Sequence, residues 1–94
     1  MDTLIKRDSA GHDSLMDLQN NHIIVGTKQL RKLLDRGRVQ RVYLALDADP
    51  AITAPLADAC CAKGVEFYWV KRMLDLGHAC GIDVGAATAG VVAD

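Results

Sequence analysis

Aromatic residues are nearly absent, four of 94, and there are only two prolines. A core built from what remains is aliphatic and alanine-rich, which suits helices lying close on a sheet. No stretch approaches the ~20 apolar residues that span a bilayer. No long apolar run follows the first charges, as a secretory leader would require. The expected compartment is therefore the cytoplasm, with no membrane partner. Cysteine is scarce and odd in number, at Cys60, Cys61 and Cys80, so it supplies no disulfide framework. No C-x-x-C occurs, and His12, His22 and His78 have no ligand spacing, which speaks against a zinc site. Neither metal nor cofactor is expected, and the thiols read as reduced, buried groups.

Catalytic signatures are missing as well. There is no Ser-centred elbow and no G-x-G-x-x-G. A phosphate-cradling loop is absent too, because Val25 directly precedes the lone glycine of Gly26-Thr27-Lys28. Asp47 and Asp49 sit in a strand-end turn before Pro50, where carboxylates fix the backbone through Asx-type hydrogen bonds. That role suits them better than acid–base chemistry, and His78 reads as a surface residue. No enzymatic activity is expected.

What is present is a divided charge. The formal net charge is −1, yet residues 26 to 41 hold Lys28, Arg31, Lys32, Arg36, Arg38 and Arg41 against Asp35 alone, or +5 over sixteen residues. The rest of the chain holds five basic and eleven acidic groups, or −6. A cationic patch on an acidic body is the footprint of an anion-binding surface. A solvated helix face is the plain alternative.

A chain of this length makes one domain. Residues 1 to 13 follow no period and read as a flexible N-terminal extension, leaving 14 to 94 as a single α/β domain. Asp13 or Ser14 can cap a short helix carrying Leu15 and Leu18. His22 to Val25 predicts a short buried strand. From Thr27 a helical pattern puts Leu30, Leu33 and Leu34 on one face, and Lys28, Lys32 and Arg36 in an i, i+4, i+8 stripe on another. Arg41 to Leu46 reads as a second strand. A helix capped by Thr53, with Pro55 in its first turn, then runs to about Lys63. Glu66 to Val70 is a third strand, and Met73, Leu76, Gly77 and Cys80 form the core stripe of a further helix. Val84 to Val92 predicts a last strand of small residues. This alternation implies a three-layer α/β/α sandwich with a small four-stranded mixed sheet. A monomer is expected, with an exposed edge at Glu66 to Val70 as the route to pairing.

The helix from Thr27 opens directly behind a buried strand, so its unpaired N–H groups and positive end are fixed in space and attract phosphate. Gln29 offers a donor and an acceptor for base edges, while Lys28 and Lys32 suit phosphates or guanine. That combination fits a nucleic acid better than a simple anion.

Three segments carry a family likeness: Ile23-Ile24-Val25-Gly26-Thr27-Lys28-Gln29 with Lys32, Asp47-Ala48-Asp49-Pro50, and Leu76-Gly77-His78-Ala79-Cys80-Gly81-Ile82-Asp83-Val84-Gly85-Ala86-Ala87. In this order they resemble the L-seven-Ae class of kink-turn RNA-binding ribosomal proteins, its short bacterial members above all. The resemblance covers roughly residues 20 to 92. It implies a three-layer fold and non-catalytic binding of structured RNA at the tandem sheared G·A pairs of a kink-turn, in ribosomal RNA or a riboswitch. The family's G-T-K-Q-x-x-K motif falls on Gly26, Thr27, Lys28, Gln29 and Lys32. Arg31 and Arg36 join them from the charge pattern.

A second contact is implied at Val70 to Leu74, where Lys71, Arg72, Met73 and Leu74 would pack on an extruded base. Here the chain departs from its relatives, which tend to carry a lysine pair where this one has Leu74-Asp75. Asp75 opposes phosphate, and Lys71 and Arg72 are expected to restore the lost charge, giving a weaker or differently tuned affinity. The alternative function is a protein-interaction module whose basic helix binds an acidic protein.

Overall fold

The run Val42-Tyr43-Leu44-Ala45 is buried without interruption, the pattern of a strand covered on both faces. It belongs to the central strand of a mixed sheet. The computed structural model describes residues 4–6 and 22–93. In chain order the elements are β1 (Leu4–Lys6), β2 (Ile23–Val25), α1 (Thr27–Asp35), β3 (Val39–Ala45), α2 (Pro50–Lys63), β4 (Glu66–Val70), α3 (Met73–Ala79) and β5 (Thr88–Val92). The strands lie in the order β1-β4-β3-β5-β2. β3 and β4 are parallel, and every other neighbouring pair is antiparallel.

The pleat divides the core between two faces. On one side Val42, Leu44 and Phe67 meet Leu30 and Leu34 of α1 and Leu56 and Cys60 of α2. On the other, Tyr43, Ala45, Tyr68, Val70, Ala89 and Val91 meet Leu76 of α3. Val39 and Val42 are three positions apart, yet both join the first cluster. A register irregularity between Val39 and Arg41 accounts for this, since a bulge shifts the alternation by one. Gly90 lets α1 sit close, because a Cβ there would collide with Leu30 Cδ1. This is the expected α/β/α sandwich, with two helices on one face and one on the other.

Several boundaries differ from expectation. The four expected strands form the mixed sheet, and a fifth, Leu4–Lys6, joins it within the stretch read as a loose extension. It pairs with β4, whose outer backbone groups would otherwise lack partners. The aromatic strand is therefore an inner strand and not an edge. The helix expected from Asp13 or Ser14 lies outside the described residues. α2 starts at Pro50 rather than at Thr53: Asp49 is its N-cap and accepts the Ala51 N–H at 2.9 Å. Pro50 then takes the first position, where its missing N–H costs nothing. Pro55 falls inside the helix. The carbonyl it leaves without a donor is that of Ala51, on the exposed side, where water can replace the bond. β5 begins at Thr88 and not at Val84, because residues 84 to 87 are held as a loop. Within it Ala86 N–H bonds to Met73 C=O at 3.0 Å, and Ala87 C=O accepts from Ala45 N–H at 2.9 Å.

Candidate nucleic-acid interface

β2, β3 and β4 all run the same way, so the segments leaving Val25, Ala45 and Val70 emerge at one end of the sheet. β5 enters at that end through Thr88. The end is cross-tied, with Leu46 N–H donating to Val70 C=O at 2.7 Å and the Thr27 and Thr88 hydroxyls 3.2 Å apart. Gly26 to Gln29 and Lys71 to Leu74 thus share one end of the molecule. They leave from strands three spacings apart, about 14 Å, and lead into helices on opposite faces.

Gly26 precedes α1 with φ +122°, and a Cβ on it would meet nothing within 4 Å. Backbone conformation, not space, makes glycine necessary there. Having no side chain, it caps nothing. The first helical bond runs from Leu30 N–H to Gly26 C=O at 3.2 Å, so the amides of Thr27, Lys28 and Gln29 have no helical acceptor. Thr27 does not cap either, because its half-buried hydroxyl is tied to the buried Thr88. The end of α1 is anchored to the sheet, and its first three amides have no acceptor among the described residues.

Beside it, Gln29, Lys32, Leu33 and Arg36 line a shallow groove of about 240 Å³ with Ile24 of β2. These positions follow i, i+3, i+4 and i+7 along α1, so they share one side of it. The structure therefore regroups the expected stripe. Gln29 joins Lys32 and Arg36 over a floor of half-buried Ile24 and Leu33, while Lys28 is exposed outside the groove. Arg31 also lies outside it, with Nε 3.8 Å from Asp35 Oδ1. Ile24 and Leu33 went unrecognised in the sequence, where an apolar residue four after Gln29 reads simply as core. Among the described residues, no carboxylate pairs with Lys28, Lys32, Arg36 or Lys71.

The second segment is built differently. Arg72 precedes α3 without capping it. The cap comes from another loop, since Asp47 Oδ1 accepts the Met73 N–H at 2.8 Å. This bond locks the β3–α2 turn to the start of α3, a role for Asp47 that its turn position alone did not reveal. Asp47→Ala should cost about 1 kcal/mol, the usual worth of a capping acceptor, and lower the melting temperature by about 4–8 °C. A thermal melt unchanged by the substitution would show the bond to be dispensable. Met73 is half-buried, with its Cβ 3.0 Å from where a Cβ on Gly85 would stand, so it packs inward. Leu74 is exposed, as are Leu46 and Val84. Arg72, expected to restore charge here, is paired with Asp75. Its Nε and Nη2 donate to Asp75 Oδ2 and Oδ1 at 3.1 and 3.0 Å. The hydrogen bond to Asp75, then its charge, hold the guanidinium above its ordinary pKa.

Among the described residues, no three His, Cys, Asp or Glu groups converge on a point that could hold a metal. Cys60 is buried and Cys80 half-buried, but Cys61 is exposed, since consecutive helical residues point about 100° apart. Burial pushes the Cys80 thiol up to about 11, so it stays protonated and unreactive at neutral pH. No helix of the described residues is long and apolar enough to cross a membrane.

The chain matches the model of the ribosomal protein L7Ae/L30e/S12e/Gadd45 family over residues 11–94. It is similar to an RNA-binding protein of Bacillus pumilus, 46% identical over 74 residues, which are 79% of this chain and 90% of the relative. It is also similar to the large ribosomal subunit protein eL8 of Halobacterium salinarum, 38% identical over 69 residues, 72% of this chain and 58% of that protein. Among solved structures, a 15.5 kD RNA-binding protein of Giardia lamblia superposes with a TM-score of 0.73 at 32% identity, covering 86% of this chain and 67% of that one. The chain belongs to the ribosomal protein L7Ae/L30e/S12e/Gadd45 family.

Proposed function

We propose that this is a non-catalytic RNA-binding protein that recognises a kink-turn through Gly26 to Gln29, Lys32 and Arg36, with Lys71, Met73 and Leu74 as a second contact. The observation that carries this is the open end of α1 beside a cationic groove with an apolar floor. Three amides without helical acceptors favour a phosphate. Gln29 supplies base-edge hydrogen bonds, Lys32 and Arg36 neutralise the backbone, and Ile24 and Leu33 accept the flat face of a base or sugar. A small anion would use the amides and leave the groove empty. A ligand that also reaches Leu74, across about 14 Å of sheet, has to be a macromolecule, and RNA read through the shape of a bent helix meets that need. The RNA-binding names of the similar proteins support the same choice.

The test is a titration with kink-turn RNA and with the same RNA after its G·A pairs are replaced. Binding should be tighter to the first by at least ten-fold. It should fall with added salt at a log–log slope of about 3, as expected for Lys28, Lys32, Arg36 and Lys71 on phosphates. Equal binding to both RNAs would sink kink-turn recognition. A flat salt dependence would sink the phosphate contacts and favour an acidic protein as partner.

A further inference from the structure

The charge of the second segment is governed by one ion pair. Arg72 immediately precedes α3 and Asp75 is its third residue, so their side chains meet on the first turn. Both oxygens of Asp75 are engaged by one edge of the guanidinium fork, at 3.0 and 3.1 Å. Such a bidentate pair fixes the direction of an arginine as well as its place. Asp75 is 19% exposed against 62% for Arg72, so the carboxylate is the better held partner. The helix N-terminus also favours its charge. Asp47 adds a second negative charge near Arg72, although its Oδ1 is committed to Met73. Arg72 is thus offset by Asp75 and Asp47. The cations of the α1 groove face no such opposition among the described residues.

Resting on the RNA-binding function proposed above, we infer that Asp75 withholds Arg72 from the RNA and so sets the affinity of the second contact. A phosphate arriving at this segment competes with the Asp75 carboxylate for the same fork. It gains a contact only where another is given up. With the carboxylate charge removed, the guanidinium is released to the phosphate at no such cost, and one more counterion leaves on binding. Asp75 is a positioning residue, acting through Arg72 and not by touching RNA.

Four proteins test this: the unaltered chain, Asp75→Asn, Arg72→Gln and the double variant. Each is titrated with kink-turn RNA across a salt series, at a temperature where circular dichroism shows all of them folded. Asp75→Asn should bind about three- to five-fold more tightly, the worth of one solvent-screened ionic contact, with a salt slope steeper by about 0.7–0.9. Arg72→Gln should stay within about two-fold of the unaltered chain, and in the double variant the gain should vanish. Equal or weaker binding by Asp75→Asn overturns the inference, as does a gain that survives in the double variant. So does a several-fold loss in Arg72→Gln alone, which would place the guanidinium on the RNA already. All three results leave the proposed function standing. Failure of the unaltered chain to prefer the kink-turn over its G·A-replaced control removes that function, and the inference with it.

Discussion

Gln29→Leu is expected to lower affinity for kink-turn RNA by about 10- to 100-fold, the range for losing a good bidentate base contact. Leucine keeps much of the volume and the helix propensity, so the fold should be unaffected. What goes is the amide that lines the groove with Lys32. Because base contacts carry the sequence information and phosphate contacts carry position, the loss should be selective. The variant should bind the kink-turn and its G·A-replaced control alike, with an unchanged salt slope. Lys32→Ala should behave in the opposite way, weakening both RNAs together and flattening the slope by about 0.7–0.9. Titrating the two variants against both RNAs checks this. If Gln29→Leu retained the full preference for the kink-turn, the specificity would have to lie elsewhere.

Gly77→Ala is expected to destabilise the protein by about 3 kcal/mol or more, the upper range for overpacking a core. The added methyl would clash with the Val84 carbonyl oxygen and lie 2.9 Å from its carbon. Both atoms are backbone, so no side chain can swing away. Relief requires moving the loop of residues 84 to 87, which is bonded to Met73 on one side and to Ala45 on the other. For a domain of this size the melting temperature should fall by roughly 12 °C or more. Differential scanning calorimetry measures it, and a shift of only a degree or two would mean that the loop is softer than its hydrogen bonds imply.

The sequence made the architecture legible because its helices and strands obey their own periods. Leu30, Leu34, Leu56 and Leu76 lie where helical spacing placed them, and the β-branched or aromatic runs became strands. Part of what stayed hidden depended on contacts between distant residues. Asp47 looked like turn chemistry, yet its carboxylate serves Met73, 26 residues away. The start of α2 was misplaced because Pro55 seemed to forbid helix before it, whereas an exposed carbonyl one turn back makes that proline tolerable. The candidate site was legible as a motif but not as a surface. A stripe read along α1 cannot show that Ile24 of the neighbouring strand completes a groove with Gln29, Lys32 and Arg36. Nor could the count of charges near Asp75 show that Arg72 is bound to it, since ion pairing depends on side-chain direction and not on composition.

Gly26 also bears on how such a protein can change over generations. A serine or aspartate before α1 would satisfy its open amides and add a few tenths of a kcal/mol relative to glycine, the sort of small gain that selection for stability accumulates. At φ +122° that route is closed, because any side chain strains the backbone before it can cap the helix. The chain cannot drift towards a more stable but occluded helix end by single substitutions at this position. A turn geometry, rather than continued selection on each side chain, keeps the amides at this helix end uncapped.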